Sequence, residues 1–299
     1  MAKSRKTKYL DPEIISKLDN MALIARMVVE GFIVGLHKSP YHGFSVEFAE
    51  HRPYMPGDQI KDIDWKVYGK TDRYYIKEYE EETNLRSYIF LDKSGSMGYK
   101  SEKVSKLDYG KYLAASMAYL MLQQQDAISL TTFDSKVDQY FPPYAKRSHL
   151  HRILAELQNT QHNGKGDIAG FLHERAEKIN KRGLVVLISD LFEQPDKILK
   201  ALKHFRHYNH EVVVFHVMDK EEMEFSFNRQ TKFIDMEDKS MLETEPWHIQ
   251  RDYKKLIKKH IATLQSNCRN NNIDYINLTT DQELGIALTE YLNKRQKIQ

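Results

Sequence analysis

The stretch Tyr88–Ser96, with the sequence YIFLDKSGS, decides both the fold and the candidate site of this chain. Its first four residues form an apolar run typical of a buried strand, and Asp92 follows at once. Ser94 and Ser96 then place two hydroxyl groups at alternate positions of one short loop. Because hard cations such as Mg²⁺ prefer oxygen ligands, the loop predicts a cation site at a strand end. A cation held mostly by neutral hydroxyls keeps much of its charge, which favours binding of a further carboxylate over hydrolysis.

Strand-like and helix-like segments alternate from Leu85 onward. The predicted strands are Ser87–Leu91, Ala127–Phe133, Lys136–Phe141, Leu184–Ser189, Glu211–Val217 and Ile273–Leu278. Several of them are apolar throughout, as expected for parallel strands covered on both faces, and helical patterns of ten or more residues lie between them. The pattern predicts an α/β fold with a doubly wound, mostly parallel sheet. Residues 219–247 interrupt it and predict a hairpin with strands near 224–227 and 231–235.

The region before this alternation is organised differently, and we predict two domains, 1–84 and 85–299. Apolar residues recur every three or four positions between Asp11 and Leu36, which predicts an N-terminal helix. The segment 37–83 is rich in aromatic, glycine, proline and charged residues, and part of it alternates like a strand. We therefore expect a helix and a small β-rich unit ahead of the main domain.

Composition and charge exclude several classes of protein. The 299 residues carry 45 basic and 42 acidic side chains, a net charge of +3, so no global field predicts a nucleic acid or an anionic membrane as partner. The single cysteine, Cys268, excludes an intrachain disulfide and fits a reducing compartment. The most apolar segment, Met21–Leu36, is too short for a membrane span and carries Arg26 and Glu30. We expect a cytoplasmic protein.

A second carboxylate, Asp190, follows the apolar strand that ends at Ser189. In doubly wound sheets, ligands bind outside the carboxyl ends of the strands, at the point where the strand order reverses. The strands before Asp92 and Asp190 would be neighbours in a common order of this kind. We therefore expect the two carboxylates to converge on one crevice.

These features together resemble a von Willebrand factor A-like domain with a metal-ion-dependent adhesion site. The Asp-x-Ser-x-Ser loop of that class is matched by Asp92, Ser94 and Ser96, and its second aspartate by Asp190. The resemblance implies that these four residues hold Mg²⁺, Mn²⁺ or Ca²⁺, directly or through water. An acidic side chain of a partner protein would then complete the coordination.

Upstream motifs resemble the signature of one bacterial family, the domain of unknown function 58. The motifs are FSVEFAEHRPY at 44–54, PGD at 56–58 and IDW at 63–65. Members of this family are commonly encoded beside MoxR-type AAA+ ATPases. The resemblance therefore implies that this chain is a partner or adaptor of such an ATPase.

The chain departs from the adhesion-site pattern at one position. Gly166 stands where the family normally supplies a threonine, so one ligand hydroxyl is absent. Asp167 could replace that ligand, directly or through water, while the Lys165 ammonium could compete with a cation. An empty metal site in a surviving loop stays open as an alternative.

The leading hypothesis is a non-enzymatic protein-interaction module. A metal-dependent hydrolase that uses Asp92 and Asp190 with a metal-bound water is the alternative, disfavoured because no separate general base is evident. A metal-free scaffold is the third hypothesis. The chain has no Gly-x-x-x-x-Gly-Lys-Ser/Thr loop, so ATP hydrolysis is not expected. His204, His207 and His210 are spaced by three and could bind zinc, although exposed histidines near a helix end are the more common interpretation.

Overall fold

The protein is described by a computed structural model that covers residues 11–18, 20–37, 51–53, 65–77, 85–227 and 229–296. The chain separates into two compact units, of which the larger is Met1–Gly35 with Leu85–Gln299 and the smaller is Leu36–Asn84. The boundary between residues 84 and 85 is the one between the predicted domains 1–84 and 85–299. The N-terminal helical segment, which we placed in the first domain, groups with the larger unit instead.

The helices and strands alternate through most of the larger unit. Within the described residues, the helices are α1 (Pro12–Ile15), α2 (Met21–His37), α3 (Trp65–Thr71), α4 (Lys106–Gln123), α5 (Arg147–Asn159), α6 (Ile168–Lys178), α7 (Pro195–His207), α8 (Lys220–Glu224), α9 (Pro246–Asn270) and α10 (Leu284–Gln296). The strands are β1 (His51–Pro53), β2 (Tyr75–Lys77), β3 (Arg86–Asp92), β4 (Ala127–Phe133), β5 (Val137–Tyr144), β6 (Leu184–Ser189), β7 (Glu211–Met218), β8 (Thr231–Ile234), β9 (Met241–Thr244) and β10 (Asp274–Thr279).

The central sheet has six strands in the order β10-β7-β6-β3-β4-β5. All neighbours are parallel except β4 and β5, which form an antiparallel edge. The chain builds the sheet outward from β3 in one direction and then from β6 in the other, so the strand order reverses between β3 and β6. The predicted doubly wound, mostly parallel α/β sheet is confirmed, and so is the neighbour relation of the two strands, which pair through Leu91 and Ile188.

Helices cover both faces of this sheet. On one face, Phe90 and Leu187 belong to a buried cluster that also contains residues of α6, α7 and α9. On the other face, Leu91 and Ile188 contact α4. A Cβ at Gly110 would lie 3.0 Å from Leu91 Cδ1 and 3.2 Å from Ile188 Cγ2, so glycine permits the close approach of α4. The sheet is therefore rigidly held where its carboxyl edge carries the candidate site.

The predicted single helix from Asp11 to Leu36 is wrong, because α1 and α2 are separate helices. Asn20 starts the second helix, since its side chain accepts a hydrogen bond from Leu23 N at 3.1 Å. Such an asparagine N-cap satisfies a backbone donor that a continuous helix would bond internally. The apolar periodicity that runs through both helices concealed the break.

Helix α2 is anchored within the larger unit. Its buried stripe comprises Ile24, Ala25, Val28, Val29 and Phe32. Its first backbone amide, Met21 N, donates to Gln158 Oε1 of α5 at 3.3 Å. Its exposed face carries the ion pair between Arg26 Nε and Glu30 Oε1 at 2.7 Å. Neither this helix nor any other in the described part of the chain combines the length and apolar character needed to cross a membrane.

The described residues of the smaller unit include a short antiparallel pair of strands and the helix α3. Strand β1 pairs with β2, with Arg52 opposite Ile76. The rings of Tyr68 and Tyr74 stack with their centroids 4.5 Å apart. The signature motifs at 44–50 and 56–58 lie outside the described residues.

The excursion after β7 forms a hairpin, but not the predicted one. Strand β8 pairs with β9, with Thr231 opposite Thr244, and we call residues 231–244 the hairpin. The predicted strand at 224–227 is wrong, because α8 occupies residues 220–224. Asp219 and Glu222 form a capping box that starts this helix, and this signal outweighs the alternating pattern that follows.

Candidate functional site

Four of the predicted ligands converge at the carboxyl ends of β3 and β6. Asp92 Oδ1 accepts from the Ser94 amide at 2.9 Å, and Asp92 Oδ2 accepts from the Ser189 hydroxyl at 2.6 Å. The hydroxyl oxygens of Ser94 and Ser96 lie 3.2 Å apart. The Ser96 hydroxyl also lies close enough to the Asp190 carboxylate to help lower its pKa. Two carboxylates and two hydroxyls therefore form one oxygen cluster, and both carboxylates are buried.

Backbone contacts from two sides hold the loop that carries this cluster. Lys93 N donates to Phe133 O at the end of β4, at 2.8 Å. On the other side, Asn163 N donates to Lys93 O at 2.8 Å and Gly95 N donates to Gly164 O at 2.9 Å. The loop is thus fixed before any ligand arrives, which lowers the entropic cost of binding.

A buried lysine that the sequence reasoning missed contacts the cluster. Lys106 is the first residue of α4, and its Nζ lies 2.8 Å from Asp190 Oδ2 and 2.7 Å from Glu222 Oε1. The same ammonium lies 4.6 Å from the centre of the Phe192 ring. Burial alone would lower the pKa of Lys106, but the two carboxylates outweigh it and raise that pKa. The side chain is therefore a fixed positive charge under the site.

The acidic groups respond to burial and to this charge. Burial, with the neighbouring Asp190 charge, raises the pKa of Asp92 well above its usual range. Burial acts on Asp190 too, but the Lys106 ammonium outweighs it and lowers the pKa of that carboxyl. Burial also raises the pKa of Glu222. When all are ionised, three carboxylates face one ammonium, which leaves two negative charges unbalanced in a region of low dielectric.

This donor set fits a hard divalent cation. Mg²⁺ is usually held by one or two carboxylates and keeps several waters, and hydroxyl oxygens suit it as well. Among the described residues, no group of three or more His, Cys, Asp or Glu side chains is arranged to hold a metal. A cation here would therefore depend on two carboxylates, the serine hydroxyls and water, and it would balance the two excess charges.

The loop before α6 places one predicted residue beside the cluster and another away from it. A Cβ at Gly166 would lie 3.2 Å from Ser94 Cβ, so this position does face the site. Asp167 is exposed, and its Oδ1 accepts from Gly170 N at 2.9 Å. Its carboxylate thus caps α6, and the structure does not bring it together with the other four ligands. Lys165 is exposed as well.

A cavity of about 300 Å³ opens above the cluster. It is lined by Ser96, Tyr99, Phe192, Glu222 and the hairpin residues Ile234, Asp235, Met236 and Glu237. The hairpin wall was not predicted to belong to the site. A partner side chain of ordinary size could enter this cavity and reach the Ser96 hydroxyl.

The histidines do not form a zinc site. His204 Nδ1 lies 3.2 Å from His173 Nδ1, whereas the His210 ring is buried and its Nε2 lies 3.3 Å from Ile179 O. His207 contacts a neighbouring tyrosine ring. The zinc alternative therefore fails, because these three histidines have separate partners and the described residues contain no group of three or more His, Cys, Asp or Glu side chains that could hold a metal.

The sheet order and the oxygen cluster at its switch point define the domain as von Willebrand factor A-like. Two solved structures share this fold with a TM-score of 0.50 each. The conserved hypothetical protein BatB from Bacteroides thetaiotaomicron is 13% identical, with 71% of this chain and 99% of that chain covered. An aerotolerance-related membrane protein from Bacteroides fragilis, which carries multiple mutations to serines, is 16% identical, with 70% and 99% covered.

The chain belongs to the family described as protein of unknown function DUF58, whose model matches residues 50–263. The expected family is therefore confirmed. Similar relatives are the uncharacterized proteins Rv1480 of Mycobacterium tuberculosis and Mb1516 of Mycobacterium bovis. Each is 22% identical over 292 residues, which covers 96% of this chain and 91% of the relative.

Proposed function

We propose that this protein is a non-enzymatic interaction module that binds an acidic side chain of a partner through a divalent cation. The supporting observation is the convergence of Asp92, Ser94, Ser96 and Asp190 in a buried cluster, whose carboxylates together with Glu222 outnumber the Lys106 ammonium that contacts them. The family resemblance makes a MoxR-type AAA+ ATPase the proposed partner. The cluster lies at the switch point of the sheet, where ligands bind in folds of this kind.

The side chains at the site would have different roles in binding the cation. Asp92 and Asp190 would hold the cation from the two strand ends, and Ser94 and Ser96 would supply neutral oxygens from the loop. When bound, Mg²⁺ supplies a positive centre that accepts a further oxygen ligand. The Lys106 ammonium keeps Asp190 ionised, because its charge lowers the pKa of that carboxyl. It contacts only Oδ2, so it leaves Oδ1 of Asp190 to other partners.

The carboxylates at the site are engaged in ways that favour binding of a cation. Both oxygens of Asp92 accept hydrogen bonds, and Glu222 is paired with Lys106. These contacts hold Asp92 and Glu222 in fixed positions, which suits residues that bind or surround a cation.

The direct test measures binding of the purified protein to a MoxR-type AAA+ ATPase of the same organism, with Mg²⁺ and with chelator. We expect chelation and Asp92→Asn each to weaken binding by about tenfold or more, the usual scale for disturbed metal sites. Asp252→Asn removes an exposed carboxylate on α9 and serves as the matched control. Unchanged binding after both chelation and Asp92→Asn would remove the metal from the proposal.

A metal-free scaffold is the second candidate, and Lys106 is the observation that favours it. Its ammonium already supplies part of the positive charge that a cation would bring. Calorimetric titration with Mg²⁺ and Mn²⁺ separates the two. No heat from either ion, together with intact binding of the ATPase, would establish the scaffold.

A further inference from the structure

The tip of the hairpin is an ordered turn that presents Glu237. Asp235 Oδ1 accepts from Glu237 N at 2.7 Å and from Asp238 N at 3.0 Å. Asp235 N donates to Ser240 O at 2.8 Å, which closes the turn. Side chains that bond their own backbone in this way fix a turn without help from elsewhere. The direction of Glu237 is therefore set locally.

This tip lies directly against the loop that carries the oxygen cluster. Gly166 N donates to Glu237 Oε1 at 3.3 Å. A Cβ at Gly95 would lie 2.9 Å from Met236 O, so the backbone of the tip occupies the space above that glycine. The Lys239 ammonium holds the same carbonyl at 2.9 Å. Two glycines of the site thus make room for the hairpin.

The Glu237 carboxylate lies beside the place that a side chain at Gly166 would fill. A Cβ built there would be 3.5 Å from Glu237 Oε1 and 3.6 Å from Ser94 Oγ. The adhesion-site pattern has a threonine hydroxyl at that position. Here the glycine leaves the space open, and an oxygen from a distant part of the chain borders it. Glu237 also brings a further carboxylate to a cluster whose carboxylates already outnumber the Lys106 ammonium.

We propose that Glu237 is an intramolecular ligand of the cation and replaces the missing hydroxyl at Gly166. This inference rests on the proposed function, because it presumes that the cluster binds a cation. With Asp92, Ser94, Ser96 and Asp190, the chain then offers five oxygen-bearing side chains. Mg²⁺ takes six ligands, so with some of these side chains acting through water a position remains for the acidic side chain of a partner. The hairpin is thereby fastened to the site whenever the cation is bound.

The test compares Mn²⁺ binding by the full chain, Glu237→Gln and Glu243→Gln, followed by calorimetry and by water-proton relaxation. Glu243 lies on the same hairpin and is exposed, so its variant makes the same charge change away from the site. We expect Glu237→Gln to raise the Mn²⁺ dissociation constant by about tenfold or more. Glu243→Gln should leave it unchanged within about twofold, the scale of a screened surface charge. Mn²⁺ should also slow amide exchange in residues 231–244 of the full chain, but not in Glu237→Gln.

A third variant, Glu237→Asp, separates ligation from simple attraction, because it keeps the charge and shortens the side chain by one methylene. If Glu237 is a ligand, Mn²⁺ binding should be weaker in this variant also. If the carboxylate only attracts the ion, the affinity should not change. Equal affinity of Glu237→Gln and the full chain, or unchanged affinity of Glu237→Asp, overturns the inference and leaves the cation site standing. Absence of Mn²⁺ binding by the full chain overturns the inference and the cation-dependent function together.

Discussion

Replacing Lys106 by methionine removes the ammonium that contacts the Asp190 and Glu222 carboxylates while keeping the length of the side chain. The two ion pairs, at 2.8 Å to Asp190 and 2.7 Å to Glu222, each correspond to an attraction of about 6 kcal/mol at an effective dielectric constant of about 20. Desolvation of the three ions offsets most of this attraction, at several kcal/mol per ion. The net value of the intact network is therefore small.

Removing only the ammonium is much more costly than this net value, because both carboxylates stay largely buried without an opposite charge. Losses of this kind amount to about 3–5 kcal/mol. For a unit of more than about 200 residues, each kcal/mol lowers the melting temperature by about 2–4 °C, so we expect a fall of roughly 6–20 °C. Urea unfolding followed by circular dichroism in the presence of chelator measures the free energy directly.

The control is Lys103→Met, three residues earlier, whose ion pair with Glu13 at 2.9 Å is exposed to solvent. Its effect should be close to zero, because exposed pairs are screened. Added Mg²⁺ should restore part of the stability of Lys106→Met, about 2.7 kcal/mol when the ion is present at about a hundred times its dissociation constant. Equal losses from Lys106→Met and Lys103→Met in chelator would refute the account of the buried network.

Three further predictions follow from the site and the core. Gly166→Thr should cost about 1–3 kcal/mol and speed proteolysis of the hairpin, because the new Cβ lies 3.2 Å from Ser94 Cβ and meets the tip. Phe171→Ala should cost about 3–5 kcal/mol in urea unfolding, since its buried ring stacks on Phe133 at 3.7 Å. Burial lowers the pKa of His210, so the unfolded chain binds the proton more readily than the folded chain does. The free energy of unfolding should therefore fall as the pH drops below about 6.5, and His210→Asn should make that fall less steep.

Each of these predictions has a control or a contrary outcome. Unchanged proteolysis of Gly166→Thr would show that the tip does not contact this position. Tyr208→Ala removes a half-exposed ring, and an equal loss from it would contradict the packing argument for Phe171. His248→Asn replaces an exposed histidine, and an equal change in its pH profile would mean that burial of His210 is not the cause.

The oxygen cluster was predictable because its parts are local. Asp92, Ser94 and Ser96 lie on one loop, and Asp190 follows a strand whose apolar run marks it as a central one. Parallel pairing then brings the two strand ends together by geometry alone. Asp167 was predicted to join them, but its position before α6 makes it a helix cap: its exposed carboxylate accepts from the Gly170 amide of that helix.

The position of Lys106 in the sequence does indicate its role. A lysine in the first turn of a helix opposes the helix dipole, so its presence there indicates a partner with negative charge. The capping box of Asp219 and Glu222 likewise predicts α8, although not that Glu222 reaches Lys106 across more than a hundred residues. The role of Glu237 had no local signal, because the hairpin meets the site only through the tertiary fold.

The edge strand of the central sheet determines which fragments of this chain can fold on their own. The family match ends at residue 263, inside α9, but β10 at Asp274–Thr279 still has to cover β7. A fragment cut at that match would present a long, apolar β7 with unpaired backbone groups, and such edges recruit other chains into aggregates. It would also lack α2, whose stripe is buried in the larger unit. Fragments intended to fold on their own should therefore include both α2 and β10, well beyond the region that the family match covers.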